Sequence, residues 1–144
     1  MSFQWLQMRI AEENDRRRRQ SATLERLPSA LEEVREQLRI CVETYRQAFG
    51  AEAAEIAGDA HKIRVTVREQ RDGSWPPGQT IEITAVPSIP GFQVDRAGEP
   101  LFIEIGLLPG DKLFYRDRAK DQYVTMEELT RRILDRAFFP KLGE

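Results

Sequence analysis

The chain has 144 residues, a length that fits one domain with room for an appendage. Its 40% hydrophobic and 32% charged residues describe a globular chain with a highly charged surface, which excludes a disordered one. The net charge of −2 excludes a dedicated nucleic-acid domain, and a single cysteine, Cys41, excludes an intrachain disulfide.

The chain opens on an apolar tip. In "FQWLQMRI" Phe3, Leu6 and Ile10 share one helical face, while Trp5 and Met8 fall roughly opposite. The Phe3 face then continues through Asn14, Arg17 and Ser21 before Leu24 and Leu27 restore it. A helix with so little to bury in its middle is expected to project as an arm, residues 1–27, ahead of one domain at 28–144. No basic n-region precedes an apolar core here, so a signal peptide is not evident, and the cytoplasm is the expected location.

The arm contains "ENDRRRRQ", with four consecutive arginines. On a helix, residues four apart are neighbours, which pairs Glu12 with Arg16, Glu13 with Arg17, Asn14 with Arg18 and Asp15 with Arg19. Residues 12–19 therefore carry only one net positive charge. Phosphate recognition needs uncompensated basic charge, and single-strand binding needs interleaved aromatics; neither is present, so nucleic acid is not the expected partner.

"PSALEEVREQLRICVETYRQAFG" is the most readable segment. Ser29 and Glu32 have capping-box spacing, and Leu31, Val34, Leu38, Val42, Tyr45 and Phe49 recur at steps of three and four. The pattern predicts a helix over 30–49, broken from the arm at Pro28 and closed by Gly50.

From residue 61 the period becomes two. "KIRVTV", "TIEITA", "GFQV", "LFIEI" and "KLFYR" read as strands, separated by the turn signals "RDGSWPPG", "VPSIPG", "RAGEP" and "LPGD". Short connections join antiparallel neighbours, so a meander of about four or five strands is expected. "VTMEELTRRILDRAFFP" closes the chain as a helix, with Thr125 and Glu128 at capping-box spacing. The fold class is α+β, with the C-terminal helix packed on one face of the sheet.

The search for chemistry finds little. His61 is the only histidine and opens a strand with no nucleophile marked out by a motif. Cys41 lies on an apolar helical stripe, and one Cys with one His cannot build a zinc site. "GLLPGDK" fails as a P-loop in spacing and lacks the Ser or Thr that would hold magnesium. Asp117 and Asp121 sit among Arg116, Arg118 and Lys120, where a polar turn is the simpler account. No catalytic, metal or cofactor residues are therefore assigned, and the chain is read as leaning away from an enzyme.

Two features point to partners instead. An apolar tip carrying Phe3, Trp5, Leu6 and Ile10 needs something to pack against. Trp75 in "GSWPPGQ" either caps the open end of the core or anchors a partner-binding loop. The expected function is a non-enzymatic protein-binding or assembly module acting as a homodimer, with possible further protein partners. In size and charge such a dimer resembles dedicated secretion chaperones, a likeness of class with no shared motif. The alternative is a small-ligand-binding protein or enzyme whose pocket lies between sheet and helix, lined by Phe92, Phe102, Phe114 and Tyr115. The longest apolar run, "LFIEIGLL", is too short to span a bilayer.

Overall fold

A computed structural model describes residues 3–69, 72–75, 78–96 and 99–140. Two helices, α1 (Gln4–Glu25) and α2 (Leu27–Phe49), precede seven strands: β1 (Ala54–Gly58), β2 (Lys62–Val67), β3 (Gln79–Val86), β4 (Gly91–Arg96), β5 (Glu99–Leu108), β6 (Lys112–Asp117) and β7 (Gln122–Val124). Helix α3 (Met126–Phe138) follows. The strands form one antiparallel sheet in the order β1-β2-β3-β4-β5-β6-β7, the expected meander.

The sheet has seven strands where the sequence suggested four or five. The five strands read from the sequence are β2 to β6. The two additions are the edges. β1 reads "AEIAG", alanine-rich with one branched residue, and β7 has three residues, too few to display a period. Both are held by pairing: Ala54 to Gly58 lie opposite Val67 to Ile63, and Gln122 to Val124 lie opposite Asp117 to Tyr115.

Helices α2 and α3 cover one sheet face. Leu31, Val34, Leu38 and Val42 of α2 and Leu129, Ile133 and Leu134 of α3 pack with Ile63, Val65, Ile83, Phe92, Val94, Ile103 and Tyr115 in one core. The opposite face carries Arg64, Glu82, Gln93, Phe102, Glu104, Phe114, Arg116 and Tyr123, all half-buried or exposed. Phe114 reaches over Gly106 of the neighbouring strand. Its ring fills the space above Gly106, where an added Cβ would come within 2.2 Å of it. Glycine there lets an aromatic side chain cover exposed backbone.

Helix α2 begins at Leu27, three residues before the expected start, and Ser29 is not its cap. The break between the helices falls at Arg26 and not at Pro28, because proline is tolerated in the first turn, where its missing N–H has no helical partner to lose. Glu32 pairs with Arg35 at 3.0 Å instead of closing a capping box. The C-terminal reading holds: Gly50 ends the helix at φ +122°, donating its N–H to the Arg46 carbonyl. Thr125 caps α3, accepting from the Glu128 N–H at 3.1 Å. Between β5 and β6 the chain turns through Pro109, Gly110 and Asp111, the last two at positive φ, so the connection is a three-residue loop.

Candidate functional site

The arm is the least covered element. Helix α1 spans 22 residues, about 33 Å at 1.5 Å per residue, and Thr23 is its one buried residue. It meets the rest of the chain at its base, where Arg26 donates to the Asp111 carbonyl at 3.0 Å. A groove of about 540 Å³ runs between that base and the β5–β6 loop, lined by Arg18, Ala22, Thr23, Leu107, Leu108 and Pro109.

Toward the tip the described residues leave the apolar side chains largely exposed. Phe3 is 56% exposed, Trp5 64%, Leu6 42%, Met8 57% and Ile10 51%. Isolated exposed leucines are ordinary, but five large apolar residues within eight positions form a continuous patch of the kind that marks an interaction site.

The arginine run is neutralised within the helix, though not wholly by the expected pairs. Glu13 accepts from both Arg16 at 2.6 Å and Arg17 at 3.1 Å. Asp15 takes both Arg18 and Arg19. Glu12 pairs with Arg9 at 3.4 Å, not with Arg16, and Arg18 goes to Asp15, not to Asn14. The cause is spacing: an acid reaches bases three or four positions on, and Glu13 and Asp15 each have two within range. The paired guanidinium hydrogen bonds lower the Glu13 carboxyl to about 2, so this acid stays charged across the physiological range.

Trp75 is half-buried and lies against the C-terminal end of α2. Its ring stands over Gly50, where an added Cβ would be 3.3 Å from Cζ2. The two prolines that follow, Pro76 and Pro77, fall outside the described residues. The contact is with the end of α2 at Gly50. Replacing Trp75 with alanine is expected to lower stability by about 1.5 kcal/mol, read as a lower denaturant midpoint. Unchanged stability would return Trp75 to the surface-loop reading.

The same end of α2 brings the periodic residues Tyr45 and Phe49 against the end of α3. Tyr45 stacks on Phe138 at 4.2 Å and touches Phe49 at 4.8 Å, with Phe139 at the rim. Phe49 and Phe139 are exposed. In "FFP" Phe138 widens the apolar stripe of the last helix, and Phe139 follows it.

The aromatics considered for a pocket separate. Phe92 and Tyr115 are buried on the covered face, their rings 6.4 Å apart, whereas Phe102 and Phe114 lie on the opposite face. Alternation along each strand dictates this, since Phe114 and Tyr115 are consecutive and must point to opposite sides. The Tyr115 hydroxyl donates to Glu33 at 3.1 Å, and burial, together with that carboxylate, raises its ionisation far above the usual phenol range.

The main correction concerns Asp117. It is not part of an exposed polar turn but 1% exposed, at the end of β6 beneath α3. Its carboxylate accepts from Arg132 at 2.6 Å and from the Lys120 N–H at 3.3 Å. Arg132 also donates to Gln122 at 2.9 Å, and its carbonyl accepts from Arg96 at 2.5 Å. Both carboxylate oxygens are engaged inside the protein, which describes a clamp between helix and sheet. Asp121, by contrast, is exposed and pairs with Arg116.

His61 is exposed; its backbone N–H donates to Asp59 at 2.8 Å and its carbonyl accepts from Ala85 at 3.0 Å. Burial raises the Cys41 thiol, which disfavours the thiolate needed for attack on a substrate. Among the described residues no group of His, Cys, Asp and Glu is placed to hold a metal, and no helix is long and apolar enough to cross a membrane.

No protein-family model matches the chain, and neither a curated protein nor a solved structure is similar to it. The functional reading rests on the chain's own residues.

Proposed function

We propose that this chain is a non-enzymatic protein-binding or assembly module that works as a homodimer through its helical arm, with chaperoning of another protein as one form of that role. The observation that carries the reading is the patch from Phe3 to Ile10, five large apolar side chains each more than 40% exposed at the far end of an arm. Burying such a patch removes apolar surface from water at roughly 25 cal/mol per Å², so a docked arm is favoured over a free one. The free thiol of Cys41 suits a reducing compartment such as the cytoplasm.

The alternative, a ligand pocket between sheet and helix, has less support, because its four aromatic residues divide between two faces of the sheet. The exposed ends Phe49 and Phe139 and the Trp75 ring offer a second contact area at the other end of α2.

The test compares the full-length protein with a full-length variant carrying Trp5→Gln and Met8→Gln, used as parallel baits in nuclease-treated lysate of the source organism. Both positions are exposed, so the variant is expected to fold normally and to lose the captured protein. A partner retained equally by both baits would remove these two residues from the binding surface.

A further inference from the structure

The sequence of charges along α1 is complementary to itself in reverse. Residues 3, 6, 10, 13, 17, 20 and 24 recur at alternating steps of three and four, the spacing of a coiled-coil seam. The seam reads Phe3, Leu6, Ile10, Glu13, Arg17, Gln20, Leu24. It lies on the side of the helix away from Arg19 and Arg26, which face the β5–β6 loop, and every one of its apolar members is exposed.

We infer that the occupant of this seam is the same seam of a second copy of the chain, running antiparallel about a two-fold axis near residue 15. This rests on the homodimer reading above and gives it a geometry. In that register Leu6 faces Leu24 of the second copy, Ile10 faces its Gln20, and Glu13 faces its Arg17. The two-fold repeats each contact, so two Glu–Arg pairs occupy the centre, Ile–Gln layers flank them and leucine layers lie outside those. A parallel pair in register would set Glu13 against Glu13 and Arg17 against Arg17, placing like charges together at the middle of the interface. Leu24, exposed at the base of the arm, faces Leu6 of the second copy in the antiparallel arrangement. Glu13 and Arg17 already pair within one helix at 3.1 Å, and the second copy turns those two ion pairs into a four-charge network. Trp5 and Met8 lie off this seam and stay open in the dimer.

The geometry is tested by charge reversal in the full chain, with sedimentation velocity reading the oligomeric state. Glu13→Arg gives a seam with two bases and Arg17→Glu one with two acids; each alone is expected to self-associate at least about tenfold more weakly than the native chain. Mixing the two variants restores a heterodimer, and combining both changes in one chain restores the homodimer with the signs exchanged. Cross-linking supplies the direction. In a Cys41→Ser background, Leu6→Cys and Leu24→Cys chains are expected to form a disulfide when mixed and not when each is alone.

A disulfide of Leu6→Cys with itself would overturn the antiparallel seam in favour of a parallel one. A native dimer indifferent to both reversals would place the dimer interface on another surface, overturning this inference and leaving the homodimer reading standing. A native chain that stays monomeric at every concentration tested would overturn both.

Discussion

Replacing Asp117 with alanine is expected to cost about 3 kcal/mol or more, among the largest single-residue effects in this chain. Asp117 is almost fully buried, and its carboxylate joins the end of β6 to α3 through Arg132 at 2.6 Å. Removing one member of a buried ion pair leaves the other desolvated and unpaired, which typically costs about 3–5 kcal/mol, whereas removing both together costs much less. Arg132 remains partly open to solvent on its outer side, so water recovers some of the loss and the lower end of that range applies. Asp117→Asn keeps an acceptor for the Lys120 N–H and is expected to cost roughly half as much. Chemical denaturation of Asp117→Ala, Arg132→Ala and the double variant measures the coupling. Additive losses would show that the two residues act independently and that the clamp does not hold α3.

Phe92→Ala is the second large effect, expected at about 3–5 kcal/mol. Phe92 is the bulkiest of the fully buried side chains, set in the central strand of the sheet against the Tyr115 ring and opposite Ile103 on β5. Deleting the ring removes its transfer free energy and leaves a cavity that a strand paired on both sides cannot close. Phe92→Leu, which keeps most of the volume, is expected to cost less than about 1.5 kcal/mol. The denaturant midpoint should fall in that order with an unchanged slope. Near-equal stability of the alanine variant would mean that Phe92 borders open space, and would return weight to a ligand pocket at this position.

These two residues mark the boundary between local and tertiary information. The sequence by itself determined the amphipathic helix around Leu31 to Phe49, the five inner strands, the Thr125 cap and the meander order, because each follows from a local period or from a short turn that leaves one topology. It also marked the apolar tip of the arm as a surface that needs something to pack against, while only the tertiary structure leaves it exposed. The alternation of β6 separated Phe114 from Tyr115 in principle, but which face the helices cover is settled only when α2 and α3 pack.

Only the tertiary structure decided the edges and the clamp. β1 and β7 are too short and too weakly patterned to be strands alone, and they exist because a longer neighbour supplies hydrogen bonds. Asp117 and Arg132 lie 15 residues apart in two different elements, and no local rule couples a strand-end carboxylate to the exposed-looking arginine of a later helix. Burial supplies that coupling: once α3 covers the sheet, a charge at that position is retained only with an opposite charge brought to it by the fold.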